Sequence, residues 1–315
     1  MTTLTARAPQ DLLAAVPVVL GFRPEQSLVM LTFDARRTFH ARVDLPAAAA
    51  VEAEVPDLAE VLLGACRTHE VGCVAFVIYG DDPVVAGALA EGLVPVFEAD
   101  GVGVLVVLRA HAGSWWRVPA HPGEEPSGPM PYDDASHPFA AEAVFAGRVT
   151  HVSREALRRT LAPVPEERRR AADLLARLPE PELSDVGRVL DIVDECITAG
   201  HDPDPDDAAR ILRCVTRVEV RDATLYAVSR DAAVDHLRVW SELLRRAPDP
   251  QVPDVAAVTA FCAWQSGDGA LAWCALDRCF EVDPDHRLGT CLAECLTRAV
   301  SPDTWWEVVD QTETA

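Results

Sequence analysis

Along the first 118 residues, short apolar runs alternate with stretches of helical spacing; beyond residue 137 the spacing is helical throughout. Asp11 precedes Leu12, Leu13 and Val16, which share one helical face, so residues 11–20 are read as a short helix capped by Asp11. Residues 27–33 and 38–44 are read as strands, joined into a hairpin by a turn at 34–37. Residues 47–70 are rich in Ala and Leu at helical spacing, with Pro56 expected to split them into two pieces. The apolar run 73–79 ends in Gly80-Asp81-Asp82-Pro83, which marks a buried strand followed by a helix start. After that helix, Val102–Arg109 is the next buried strand, and Gly113 turns the chain into an edge strand at 114–118.

The order β-β-α-β-α-β-β predicts an α/β domain, residues 1–118, with a mixed sheet of about five strands and right-handed crossovers. Strands 73–79 and 103–109 should run parallel at its centre. The Pro/Gly-rich stretch 119–137 is expected to be an exposed loop. Residues 138–315 are then an all-helical domain. Leu174, Leu175 and Leu178 space one helix; Val186, Val189, Leu190, Val193 and Ile197 space another. Asp204-Pro205-Asp206-Asp207 is a cap, a first-turn Pro and two acids suited to a helix N-terminus. Ala233, Leu237, Trp240 and Leu244 mark a further helix, with Trp240 as a core anchor. The segment Ala260–Pro284 has spacings similar to one tetratricopeptide repeat, a helix-turn-helix unit; a concave surface built from such units would hold a peptide.

Composition narrows the chemistry. Net charge is −22, with 9 Arg against 19 acids in residues 1–150 and 19 Arg against 31 acids in 151–315. Neither half offers the positive footprint that nucleic acid or anionic lipid requires, so neither is expected as a partner. All 28 basic residues are Arg. The Lys of a Walker phosphate loop, of a protein kinase or of a Schiff-base enzyme is therefore missing. Nine Cys, an odd number in a large chain with no signal-peptide pattern, point to reduced thiols and a cytoplasmic location.

Three segments carry a resemblance. They are Leu12-Leu13-Ala14-Ala15-Val16-Pro17 with Leu20-Gly21-Phe22-Arg23-Pro24 and Ser27-Leu28-Val29; Ser136-His137-Pro138 through Glu142-Ala143 and Gly147-Arg148-Val149 to Ser153-Arg154-Glu155; and Gly267-Asp268-Gly269-Ala270 with Asp283-Pro284. Together the chain resembles the actinobacterial domain-of-unknown-function family number 4192. That resemblance implies a bacterial cytosolic protein and supplies no reaction. Relatives often carry a Cys-Cys-Pro segment after the Trp-Trp strand, whereas residues 119–131 here hold no Cys, so no metal or redox role is expected of that loop.

Motif by motif, catalysis finds little support. Gly101-Val102-Gly103 lacks the third Gly of a dinucleotide fingerprint and precedes a strand instead of following one. No Gly-x-Ser-x-Gly elbow occurs, and Ser136 beside His137 reads as the start of a helix through Ala146 more readily than as a nucleophile and its base. Cys291 and Cys295, at i and i+4, lie near Cys274 and Cys279 without a Cys-x-x-Cys knuckle, and core filling is the preferred reading. The same holds for Cys66, His69 and Cys73. Asp202, Asp204 and Asp206 imitate a calcium loop, but Asp207 stands where it needs Gly and Arg213 where it needs Glu. No metal site and no cofactor are expected.

Topology leaves one candidate. Ligands of open α/β sheets sit beyond the carboxyl ends of the strands, and those ends carry Asp44, Asp81, Asp82, Arg109 and His111. Helix capping and a solvated turn are the ordinary explanation; a pocket for a small polar ligand or a cation is the functional one. A second candidate is Arg23, in a turn stopped by Gly21 and presented toward the neighbourhood of Arg148 or an anionic ligand. The function expected is that of a non-catalytic cytosolic binding or regulatory protein, meeting a protein or peptide through its helical region. The alternative is an enzyme using the strand-end carboxylates, with a divalent cation.

Overall fold

The computed structural model describes residues 6–121 and 123–307; residues 1–5, 122 and 308–315 of the spans above lie outside the described residues. The chain divides into two compact units between Arg154 and Glu155.

The first unit opens with α1 (Pro9–Leu20). Asp11 is its third residue and not its cap: the carboxylate reaches back to accept from the backbone N–H groups of Arg7 (2.6 Å) and Ala8 (3.0 Å), serving donors that a helix N-terminus leaves free. The sheet comprises β1 (Ser27–Phe33), β2 (His40–Asp44), β3 (Cys73–Tyr79), β4 (Gly103–His111), β5 (Ser114–Arg117) and β6 (Ser127–Pro131), in spatial order β2-β1-β3-β4-β5-β6. β3 and β4 pair in parallel at the centre, and every other pair is antiparallel. The sixth strand lies within the stretch expected to be loop. Its prolines fit because β6 is an edge strand, where a residue without an N–H is tolerated on the outward side.

α2 (Val51–Thr68) and α3 (Pro83–Ala99) are the crossover helices. α2 is one helix, not two. Pro56 is its sixth residue, so it forfeits a single ladder bond close to an end where the first donors are unpaired anyway. Leu28, Met30, Val74, Phe76, Ile78 and Val107 of the sheet form one buried cluster with Val55, Leu62, Leu63, Leu89, Leu93 and Phe97 of these helices. α4 (Pro138–Phe145) packs Phe139 and Ala143 against Ala14, Ala15 and Val18 of α1. The loop 119–137 and α4 therefore belong with the sheet, and the division falls later than residue 138.

His40, the first residue of β2, is half-buried, and its Nδ1 accepts from the Thr32 N–H (3.3 Å). Burial pulls its pKa down from 6.5 to about 4. Between those values the unfolded chain holds a proton that the folded chain refuses, so stability falls as the pH drops through the window. Wild type should lose roughly 2–3 kcal/mol more than His40→Asn between about pH 7 and about pH 4. Equal losses in parallel urea titrations would refute this.

The second unit contains α5 (Arg154–Arg159), α6 (Pro165–Leu175), α7 (Asp185–Ala199), α8 (Pro205–Cys214), α9 (Val218–Ala227), α10 (Ala233–Arg246), a 3-10 turn at Asp249–Gln251, α11 (Val252–Gln265), α12 (Gly269–Val282) and α13 (Arg287–Thr297). The expected cap at Asp204 is present: its carboxylate accepts from the Asp206 and Asp207 N–H groups, both at 2.9 Å. Leu178 falls beyond the end of α6, and Leu237 is only half-buried; His236 and Val239 join Ala233, Trp240 and Leu244 on the inner face of α10. α11 and α12 form the helix hairpin expected at 260–284, turned at Gly267 (φ +83°) and capped by Asp268, which accepts from the Leu271 N–H (2.9 Å). α11 is buried on every side, among α9, α10, α12 and α13.

Candidate functional site

β2 and β3 both run antiparallel to β1, so their ends meet at one edge of the sheet. Ser27 lies opposite both Asp44 and Tyr79, and Tyr79 lies opposite Ala110. Asp44, Asp81, Asp82, Arg109 and His111 thus share a rim. What each side chain does there follows from its partners.

Asp44 pairs with Arg42 (2.5 Å), whose Nε also donates to the Ser27 hydroxyl (2.8 Å). Asp81 accepts from the Gln26 side-chain amide (3.3 Å), which is the main cause of its lowered pKa. Gln26 itself holds a left-handed backbone (φ +43°), and its carbonyl accepts from the Leu45 N–H (2.9 Å). Asp82 caps α3 by accepting from the Val84 N–H (2.8 Å). Arg109 is buried: it donates to the carbonyls of Gly80 (3.3 Å) and Asp81 (3.1 Å), and its guanidinium lies 3.8 Å from the centre of the Trp116 ring. Desolvation lowers its pKa, opposed by the nearby charges of Asp81 and Asp82. Arg109 therefore ties β4 and β5 to the turn that starts α3, the kind of stacked, multiply bonded role in which Lys is no substitute. His111 is exposed, at the end of β4 beside the turn Ala112-Gly113.

The other candidates are held by other partners. Arg23 pairs with Asp134 through Nε (2.8 Å). The backbone meeting residues 21–23 belongs to His151, which bridges to Phe22, donates to the Gly21 carbonyl (2.8 Å) and accepts from the Arg23 N–H (3.0 Å). Arg148 is exposed, and its N–H closes the end of α4 on the Ala143 carbonyl (2.8 Å). Ser136 and His137 do not form a dyad. The Ser136 hydroxyl donates to Asp133 (2.7 Å). His137, not Ser136, caps α4: Nδ1 accepts from the Phe139 N–H (3.3 Å) while Nε2 faces Asp11 (3.1 Å), an arrangement that sets the proton on Nε2.

The partners Gln26, Arg42, Trp116 and Asp134 were not singled out from the sequence, because each is brought in by pairing across strands or from a distant turn. Tyr79 was also missed. Its hydroxyl is buried without a hydrogen-bond partner among the described residues, and desolvation raises its pKa well above 10, reinforced by Tyr132 and Asp134. As the last residue of a central strand it stands two positions before Asp81 and opposite Ala110.

The rim carboxylates are thus occupied in holding turns and strands. Among the described residues no group of three or more His, Cys, Asp or Glu is arranged to hold a metal ion. Two surface grooves lie in the helical unit, and no rim residue lines either of them. One, of about 290 Å³, is lined by Asp191, Asp194, Glu195, Thr198 and Ala199. The other, of about 360 Å³, is lined by Ser229, Arg230, Asp303, Trp306 and Glu307. Trp306 is the aromatic residue of that lining. Tyr226, 55% exposed, lies 5.3 Å from Trp305, whose ring meets Phe261 of α11 at 5.0 Å. Trp306 donates from Nε1 to Gln265 (3.2 Å), the last residue of α11, and Arg230 pairs with Asp303. No helix of the described residues is long and apolar enough to cross a membrane.

Compared with known protein families, residues 9–303 match one described as a domain of unknown function, DUF4192. No curated protein and no solved structure matches the chain.

Proposed function

The chain belongs to the DUF4192 family, whose description names no activity, and from the geometry we propose that it is a non-catalytic binding protein that takes a short peptide segment of a partner in the aromatic groove of its helical unit. The observation that carries this reading is the Trp306 wall of that groove, anchored to the buried helix α11. Aromatic side chains on a rigid support give large contact area at small entropic cost, which is why they dominate binding hot spots. The net charge of −22 favours a partner segment that carries basic residues. The carboxylate-and-cation alternative has no comparable support, since Asp44, Asp81 and Asp82 each already serve a neighbouring group. A cytoplasmic location accords with cysteines that form no disulfide among the described residues.

A random peptide library selected on the immobilised full-length chain tests the reading. Enriched sequences should pair an aromatic or aliphatic anchor with Arg or Lys. Trp306→Ala should weaken them by about 2 kcal/mol, roughly 30-fold, in a chain whose circular dichroism shows it still folded at the assay temperature. Peptides that bind Trp306→Ala as well as wild type, or a library that yields none, would refute it.

A further inference from the structure

We propose that Cys291 and Cys295 form a two-thiolate site for one soft monovalent metal ion of the Cu(I) type, on the open side of α13. The two residues are one helical turn apart in α13, whose buried positions are Gly289 and Leu292. Cys291 is exposed and Cys295 half-exposed, whereas six of the remaining seven cysteines are buried. Core packing, which accounts for those six, does not account for Cys291. Residues at i and i+4 lie on the same face of a helix, so the two thiols share the open face of α13.

Geometry decides what such a pair can do. Side chains at i and i+4 on a helix have Cβ atoms about 5–6 Å apart. A disulfide needs about 3.5–4.5 Å, so closing one here would require the last turns of α13 to unwind. A bridging ion removes that conflict, because it inserts two metal–sulfur bonds, each on the order of 2.3 Å, between the sulfurs. Ions that take four protein ligands find none here: no third His, Cys, Asp or Glu completes a metal group among the described residues. An ion satisfied by two thiolates remains, and soft thiolate ligands select Cu(I) among the common metals. On binding, both thiols release their protons to solvent and two copper–sulfur bonds form. The ion keeps its oxidation state, so no electron donor or acceptor is involved. Because the ion binds thiolates, acidification should release it.

The test is an anaerobic titration of the reduced full-length chain with Cu(I) against a chromophoric Cu(I) chelator. Wild type should withdraw one copper per chain from the chelator. Cys291→Ser, an exposed and conservative change, should lose that copper with an unaltered circular dichroism spectrum, and Cys295→Ser should lose it as well. Cys73→Ser, which alters the other partly exposed thiol, should keep it. Copper retained by Cys291→Ser, copper lost by Cys73→Ser, or no copper withdrawn by wild type would each overturn the site. The readout is independent of the peptide groove, so its failure and the failure of the peptide reading are distinguishable.

Discussion

Gly92→Ala should destabilise the first unit by about 1–3 kcal/mol, although Ala is ordinarily the better helix residue by about 1 kcal/mol. A Cβ built on Gly92 would lie 2.4 Å from Cγ1 of Val55, on the neighbouring helix α2. Val55 cannot swing aside cheaply, because a β-branched residue in a helix has one strongly preferred rotamer. The same helix supplies the control: nothing lies within 4 Å of a Cβ on Gly87, so Gly87→Ala should stabilise by roughly 0.5–1 kcal/mol. Adding Val55→Ala to Gly92→Ala should recover part of the loss, a coupling of about 1 kcal/mol or more. Hydrogen exchange of the amides in α3 and β3 reads the unit directly. If Gly92→Ala and Gly87→Ala shift protection in the same direction, the close approach of α2 and α3 is not real.

Arg278→Met should cost the second unit about 2–4 kcal/mol, since the Leu161 carbonyl loses its charged donor and the Leu244 carbonyl keeps only a long bond from the Ala247 N–H. Arg278 is 9% exposed, in α12, and donates to the carbonyls of Leu161 and Leu244. Leu244 lies in the last turn of α10, where its carbonyl otherwise accepts only from the capping Ala247 N–H, at 3.4 Å. The guanidinium therefore closes the end of α10 and the turn after α5 from inside the core. Desolvation pulls its pKa down, with Glu281 and Asp249 opposing. Met retains most of the side-chain volume, which separates the polar loss from a packing defect. The last-turn amides of α10 should lose exchange protection, and a variant within about 0.5 kcal/mol of wild type would show that the buried cation is dispensable.

These two sites differ in how far the sequence announces them. Gly87 and Gly92 look alike along α3; only the position of Val55 separates them. Arg278 sits among apolar neighbours like any charged residue on a helix surface, and its two acceptors are remote in the chain. By contrast, Asp82-Pro83 and Asp204-Pro205 were legible because a cap and its helix are adjacent in sequence. β3 and β4 were legible because a strand covered on both faces needs a continuous apolar run. β6 was not, since an edge strand places few demands on its residues and admits Pro. Cys291 was read as core because its spacing matches a helix, but spacing alone does not say which face turns inward.

From the sequence alone follow the mixed sheet with its parallel pair, the helical remainder, the caps and the missing lysine chemistry. All of these depend on residue type and short-range periodicity. The tertiary structure alone decided that the rim carboxylates and Arg109 are consumed by local bonding, that α11 is enclosed, that an aromatic groove stays open and that two thiols face solvent together. Those outcomes depend on distances between residues far apart in the chain, which no local pattern encodes.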